Sequence, residues 1–437
     1  MHKFALRVFG CQMNAYDGDR LRTAMVHKGW EETADDAADV VLLVTCSIRE
    51  KAEQKVASEI GRYEAGYRKT GSPVVILVGC MAQRVGAEMA KKFSCVRVVS
   101  GPRHLGFVPQ GIDDALSDGI PRFFLDEDPR ALEDLTVVPT ERTNPFKAYV
   151  TISYGCDRFC SYCIVPHVRG RLQSRSREEI LSEVETLAAS GVIEVSLLGQ
   201  NVDAFGKDKK DGYGFAGLLR DVARTEGIKR VRFYTSHPKD FDEDILTVMA
   251  EMPSICRAVN LPVQSGSDRI LKEMNRGYTS SDYIELVRKI RAALPDVALT
   301  TDLIVGFPGE TESDYRSSYN LLRDLRFDIV HTAAFSPRPG TRAAMMEGQL
   351  DARTKAERLN EINAMQSAIA LDLNEAYVGQ EMEILLDGPA PRGEGLLQGR
   401  TYTDKVTIVS GRPSDAGKFV SARIVRASRW SLEGQVV

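Results

Sequence analysis

Short runs of β-branched and aliphatic residues alternate with helix-period stretches through about the first 115 residues. Phe4 to Phe9 precedes Tyr16 to Lys28, Val40 to Thr45 precedes Arg49 to Tyr67, and Val74 to Val78 precedes Gln83 to Lys92. Such a βαβα pattern satisfies its backbone as parallel strands crossed by helices, so the fold class is α/β with an amino-terminal doubly wound parallel sheet. Each run ends alike: Phe9-Gly10-Cys11, Val44-Thr45-Cys46 and Val78-Gly79-Cys80. Parallel strands of a doubly wound sheet bring their carboxyl ends to one edge, where ligands bind, so three thiols far apart in the chain are expected to converge. Buried cysteines that merely fill space are the alternative, and three equivalent strand ends are hard to hit by chance. Cys95 and Cys256, in apolar surroundings, fit that space-filling role.

Asp-, Pro- and Arg-rich sequence then interrupts the pattern, and we read 1–118 as one domain and 119–141 as a linker. A second βα series follows, with strands expected at Ala148 to Ile152, Glu194 to Leu198, Arg230 to Tyr234, Arg257 to Val263, Ala298 to Val305 and Ile329 to Phe335. Six parallel units over a span shorter than the ~250 residues of a full eight-unit barrel imply a central partial (β/α)6 barrel, taken as 142–372. After a polar helix, Ala352 to Glu375, short glycine-bearing strands imply a small all-β, OB-like barrel over 373–437.

No apolar run approaches the ~20 residues that cross a bilayer, so we expect a cytoplasmic chain without a membrane partner. A net charge of −4 argues against a protein that coats nucleic acid through bulk positive charge. Local patches remain: Arg142 to Arg177 carries an excess of six positive charges and Gly388 to the carboxyl terminus an excess of four.

Eight cysteines in a reducing compartment are not expected to form disulfides. Cys156, Cys160 and Cys163 stand as Cys-x-x-x-Cys-x-x-Cys just after a strand, a spacing that lets three thiolates wrap one face of a 4Fe-4S cubane and leave its fourth iron open. An open iron can chelate S-adenosylmethionine and pass it one electron, yielding a carbon radical. Zinc on Cys156, Cys160, Cys163 and His167 is the rival, but it explains neither the βα series nor the second cysteine trio. The string Gly212-x-Gly214-x-x-Gly217 lacks the preceding strand that a dinucleotide site needs. Polar clusters at the barrel strand ends, where such folds bind cofactors, supply candidates for S-adenosylmethionine: Gln200, Asn201, Ser236, Gln264, Ser265, Asp302 and Gly306.

These residues resemble the radical-SAM methylthiotransferases, and within them the branch that makes 2-methylthio-N6-dimethylallyladenosine in tRNA. The likeness covers nearly the whole chain. It rests on Gly10-Cys11-Gln12-Met13-Asn14, Thr45-Cys46-Ser47-Ile48-Arg49-Glu50, Gly79-Cys80-Met81-Ala82-Gln83, Gly155-Cys156 to Cys163, Gly199-Gln200-Asn201-Val202, Leu261-Pro262-Val263-Gln264-Ser265-Gly266-Ser267 and Thr301-Asp302 to Glu310-Thr311. The resemblance implies two 4Fe-4S clusters, an auxiliary one on Cys11, Cys46 and Cys80 and the radical one on Cys156, Cys160 and Cys163. It implies a carboxy-terminal TRAM domain that grips the tRNA anticodon stem-loop. One S-adenosylmethionine would methylate a sulfur on the auxiliary cluster, and another would yield the 5′-deoxyadenosyl radical that abstracts hydrogen from carbon 2 of the adenosine. The two trios are then expected to face each other across one cavity. Arg169, Arg171 and Arg175 after the radical loop, and Arg400, Lys405, Arg423 and Arg426 in the tail, become candidate phosphate contacts. A monomer reduced by a flavodoxin or ferredoxin is expected, with no sulfur donor specified. Arg171-Leu172-Gln173 lean toward the branch acting on threonylcarbamoyl-adenosine and Asn260 stands where the dimethylallyl branch is expected to have His, whereas Gln12-Met13-Asn14 and Gln200-Asn201-Val202 lean toward the dimethylallyl branch. The same chemistry on a ribosomal-protein aspartate is a further alternative.

Overall fold

A computed structural model describes residues 2–47, 50–125, 132 and 134–437. Ile48 and Arg49 of the second cysteine motif, and 126–131 and 133 of the expected linker, lie outside the described residues. The amino-terminal sheet contains β1 (Lys3–Val8), β2 (Glu31–Glu32), β3 (Val40–Thr45), β4 (Val74–Gly79), β5 (Val96–Ser100) and β6 (Arg122–Phe124) in the order β2-β1-β3-β4-β5-β6. All neighbours are parallel. Val40 to Val44 and Val75 to Val78 are fully buried because helices cover both faces: α1 (Gln12–His27) and α4 (Val108–Asp118) on one, α2 (Glu50–Thr70) and α3 (Cys80–Lys92) on the other. Continuous Val/Leu/Ile runs are what two covered faces require. Part of the segment expected as linker is therefore sheet, since β6 pairs Phe123 with Val99. Three residues without alternation or turn signals gave no local sign of it.

The second unit has its strands in two parallel triplets. One is β7 (Lys147–Thr151), β10 (Glu194–Leu198) and β11 (Arg230–Phe233); the other is β12 (Ala258–Asn260), β13 (Ala298–Val305) and β14 (Ile329–Ala334). A bridge between Val231 and Ile255 joins them. A small antiparallel pair, β8 (Ser153–Tyr154) and β9 (Gln173–Ser174), and the short helix α5 (Val165–Arg169) frame the cysteine loop. Helices α6 (Arg177–Ala189), α7 (Phe215–Ala223), α8 (Glu243–Glu251), α9 (Asp268–Glu273), α10 (Ser280–Ala293) and α11 (Glu312–Leu325) complete the crossovers. The strand expected over 257–263 stops at Asn260. Beyond it Tyr283 donates to the carbonyl of Leu261 (2.7 Å), Arg276 to that of Pro262 (2.8 Å) and Tyr278 to that of Val263 (2.9 Å), so side chains take three acceptors that a ladder would use.

Helix α12 (Ala352–Glu375) runs through the boundary expected at 372–373 and leads into a closed barrel of β15 (Glu381–Pro389), β16 (Leu396–Thr401), β17 (Val406–Ser410), β18 (Phe419–Ala427) and β19 (Leu432–Val436), ordered β15-β16-β17-β19-β18. The sequence reading missed β19, which closes the barrel by pairing parallel to β17 and antiparallel to β18. The tail barrel is seated on the central unit: Arg230 donates to the carbonyl of Arg400 (2.8 Å) and Arg232 to that of Thr401 (2.9 Å). Among the described residues no helix is long and apolar enough to cross a membrane.

Candidate active site

The register of the first sheet sets Val8 opposite Val44, Val44 opposite Val78 and Thr45 opposite Gly79, so β1, β3 and β4 end side by side. Cys11 caps α1, Cys46 follows β3 and Cys80 opens α3, which places the three thiols along one sheet edge. The approach is close. A Cβ on Gly10, whose φ is +111°, would stand 2.4 Å from Cys46 Cβ, and one on Gly79, at φ +102°, would stand 2.5 Å from the Thr45 carbonyl oxygen. Contact with Cys46, helped by the Arg169 charge and opposed by burial, holds the Cys11 thiol down at about 5. Burial pushes Cys80 up and Arg169 opposes it.

Cys156, Cys160 and Cys163 occupy the loop between β8 and α5. Gly155 starts the loop at φ +67°, and a Cβ there would meet the Arg171 carbonyl oxygen at 2.0 Å. The loop is pinned from outside: Ser161 N–H donates to the carbonyl of Met274 (3.0 Å), Ser161 Oγ to that of Glu273 (2.8 Å), and Ala343 N–H to that of Ser161 (2.8 Å). Burial and then the neighbouring Cys160 push the Cys163 thiol up to about 12, so three thiolates here need positive charge to offset them. Arg276, fully enclosed, supplies part of it by donating to Cys160 Sγ (3.4 Å). On the other trio Arg169 Nε donates to Cys80 Sγ (3.1 Å).

A buried guanidinium aimed at sulfur costs desolvation that a neutral thiol repays poorly and an anionic thiolate repays well. With three thiols apiece and an arginine on each, both trios fit a group that binds thiolates. Among the described residues no three Cys, His, Asp or Glu side chains converge on one metal-ion position. A cubane places each thiolate on its own iron and makes no such demand.

The two trios are linked by packing. Cys80 packs against Ile164, the residue after Cys163, and against Val168. The units meet there at further points: Tyr16 donates to Glu183 (3.1 Å), Met13 packs on Leu198 and Gln200 reaches the Met13 sulfur. Each trio borders a cavity. One of about 430 Å³ is bordered by Cys11, Cys46 and Tyr149, and one of about 230 Å³ by Cys156, Arg158, Asn201 and Asp240. Arg169 and the apolar face of α5 stand between Cys80 and the radical loop.

The residues expected to hold S-adenosylmethionine separate into two groups. Asn201 Nδ2 donates to Asp240 (2.6 Å) while its buried Oδ1 has no partner, Asp302 accepts from Asn260 (3.0 Å), Gln264 (φ +69°) bridges to Leu303, and Gly306 (φ +70°) follows the end of β13. These remain candidates. Ser236 and Ser265 are corrected: Ser236 Oγ is spent on Asp203 (3.0 Å), and Ser265, fully buried, sits against Ser318 (3.3 Å) behind the barrel wall. The sequence reading passed over Asp240. Its buried carboxylate accepts from Arg158 and from Lys207 (2.6 Å), and against the upward push of burial these bonds hold it at about 2. No motif marked it, nor Arg276, because both act on elements distant in sequence.

Of the candidate phosphate contacts, three are inside. Arg169 lies on Cys80, Arg175 pairs with Glu183 (2.7 Å), and Lys405 is buried on Asp328 (2.6 Å) and Asn374 (2.8 Å). Their cationic ends are committed to protein partners, which corrects their assignment. Arg400 is partly exposed beside Asp404, and Arg171 is exposed on Asp157. Arg423 and Arg426 are 59% and 72% exposed, on rim ion pairs with Glu381 and Glu433.

A family model for the radical SAM superfamily matches residues 150–322, one for the TRAM domain residues 375–437, and one described as uncharacterized protein family UPF0004 residues 3–101. The chain is 43% identical over 438 residues to the tRNA-2-methylthio-N(6)-dimethylallyladenosine synthase of Moorella thermoacetica, covering 99% of this chain and 98% of that one. It is 41% identical over 436 residues to the protein of the same name from Aquifex aeolicus, covering 100% and 98%. Among solved structures, the radical S-adenosylmethionine methyltransferase TsrM from Kitasatospora setae aligns with a TM-score of 0.56 at 16% identity, over 91% of this chain and 77% of that one, a likeness of fold alone.

Proposed function

From the premise that the chain belongs to the family of tRNA-2-methylthio-N(6)-dimethylallyladenosine synthases, we propose that Cys11, Cys46 and Cys80 hold an auxiliary 4Fe-4S cluster and Cys156, Cys160 and Cys163 the radical one. The protein is a radical SAM tRNA methylthiotransferase that places a methylthio group on carbon 2 of N6-dimethylallyladenosine. When bound, the two clusters and S-adenosylmethionine supply the reducing electron, the radical and the sulfur. The observation that supports the residue assignment is the contact of Cys80 with Ile164, beside Cys163, by which the two thiol trios adjoin, as a sulfur source and a radical source acting on one substrate require.

The chain's own residues build the surroundings. Arg276 donates to Cys160 and fastens the radical loop to the Pro262 carbonyl. Asp240 draws Arg158 and Asn201 together at the cavity beside Cys156, which Asn201 borders, and Gln200, Gln264, Asp302 and Gly306, elsewhere on the barrel, are the further residues we assign to S-adenosylmethionine. Met13, Leu198, Ile164 and Val168 keep water from the seam between the trios, which suits reactive chemistry. The tail barrel over 373–437, seated firmly on the core over 142–372, offers Arg400, Arg423, Arg426 and the exposed Trp430 to the anticodon stem-loop, with Arg171 near the radical loop. The protein works as a monomer in the cytoplasm, reduced by a low-potential carrier of the flavodoxin or ferredoxin kind.

Mass spectrometry of tRNA nucleosides tests this. A strain lacking the gene should regain 2-methylthio-N6-dimethylallyladenosine on complementation, and Cys163→Ala should abolish both that product and reductive cleavage of S-adenosylmethionine. Recovery of the threonylcarbamoyl product alone would overturn the substrate, and full cleavage by Cys163→Ala would overturn the cluster assignment.

A further inference from the structure

The segment from Cys163 to Gly170 leaves the radical trio, crosses to the auxiliary trio and comes back. It departs at Cys163, presents Ile164 and Val168 to Cys80, delivers the Arg169 side chain, and returns at Gly170, whose carbonyl accepts from the N–H of Cys156 (3.2 Å). Arg169 is only 3% exposed and is held at both ends. Its own carbonyl accepts from Arg103 (2.9 Å), and its guanidinium donates to Cys80 Sγ (3.1 Å) through Nε and to Asn14 Oδ1 (3.3 Å) through Nη2. Asp17 stands off at 3.7 Å without a hydrogen bond, so the nearest partner of this buried cation is sulfur. By sequence Arg169 belongs to the central barrel; by contact it belongs to the amino-terminal site.

We propose that Arg169 is a positioning residue of the auxiliary site, donated by the radical SAM core, and that its hydrogen bond to the Cys80 sulfur raises the reduction potential of the cluster bound there. Hydrogen bonds and positive charge at cluster sulfurs stabilise the reduced, more negative state, and groups outside the ligand set commonly tune a metal site in this way. The auxiliary site is then complete only when both units are docked. One peptide segment also sets the spacing of the two trios, since displacing Arg169 shifts the Gly170 carbonyl on which Cys156 hangs. This inference rests on reading Cys11, Cys46 and Cys80 as cluster ligands.

The experiment uses full-length protein carrying Cys156→Ala, Cys160→Ala and Cys163→Ala, reconstituted anaerobically so that only the auxiliary cluster is present. Its midpoint potential is measured by electron paramagnetic resonance during redox titration. Adding Arg169→Met should lower the midpoint by about 59 mV, a tenfold change in a one-electron reduction equilibrium, and alter the spectrum, with iron and sulfide content unchanged. Arg169→Lys, which keeps charge but loses the fork, should fall between. An unmoved midpoint and spectrum in Arg169→Met would overturn the role of Arg169. Should Arg169→Met fail to hold iron, Arg169→Gln decides: a lowered midpoint supports the proposal and an unchanged one overturns it. Iron absent from the parent triple variant with Arg169 intact would instead overturn the cluster assignment beneath it.

Discussion

Replacing Gly155 with alanine should empty the radical site and spare the auxiliary one. The residue has φ +67°, and left-handed backbone costs a residue bearing Cβ roughly 1–2 kcal/mol. Sterics add more. The new Cβ would meet the Arg171 carbonyl oxygen at 2.0 Å and that of Gly170 at 2.5 Å, both backbone atoms that no rotamer change can move away. Relief requires the backbone at Gly170 and Arg171 to retreat by about an ångström, which stretches the Cys156 N–H bond to Gly170 (3.2 Å), worth about 1 kcal/mol when satisfied and about 1–3 when left open. A local cost of about 2–5 kcal/mol falls on the loop that must present Cys156 to an iron, while Cys11, Cys46 and Cys80 lie on another unit. Iron and sulfide analysis after anaerobic reconstitution should fall from about two clusters to about one, with reductive cleavage of S-adenosylmethionine lost. Gly212→Ala is the control, since it shares the backbone problem (φ +75°) yet has nothing within 4 Å, and it should keep both clusters. If Gly155→Ala retained two clusters and near-normal cleavage, the steric argument for how this loop is shaped would be wrong.

Four further outcomes follow from the same contacts. Burial raises the Asp203 carboxyl to about 8 from an ordinary 3.8, so the folded chain keeps a proton that the unfolded chain releases. Stability from this group is therefore full below pH 3.8 and lost as pH rises toward about 8, and Asp203→Asn should gain on the parent in thermal melts at pH 8 relative to pH 5. Asp240→Ala should cost about 3–5 kcal/mol, because Arg158 is left beside a fully buried position without its carboxylate, and chemical denaturation with iron analysis should show loss of stability and of the radical cluster together. Arg423→Ala and Arg426→Ala should each lower the slope of log tRNA affinity against log salt by about 1, read by filter binding, with the fold unchanged. Lys405→Ala should leave that slope alone and lower the melting temperature, since its ammonium is buried on Asp328 and Asn374.

What could be read locally was read well. The three strand-end cysteines, the Cys-x-x-x-Cys-x-x-Cys loop, the six barrel strands and the small terminal barrel all follow from periodicity and spacing within short windows, and the structure has each. The misses share a different character. Strand β6 exists because β5 offers it a ladder, and β12 ends at Asn260 because tyrosines and an arginine from beyond it take the next carbonyls. Arg169, Arg175 and Lys405 looked like surface cations in a basic stretch, but a thiol of the amino-terminal unit, the Glu183 carboxylate of the following helix and Asp328 of the central unit take up their charges.

The amino-acid sequence alone singled out the thiols proposed to carry the chemistry, because thiol spacing and the alternation of strand and helix are properties of neighbouring positions. Tertiary structure decided what those residues face. The Cys80 sulfur and the Arg169 guanidinium are 89 positions apart and meet only through the docking of two units. Whether a charge points to water, to phosphate or to a cysteine depends on which distant surface closes over it, and that is settled by packing rather than by local pattern.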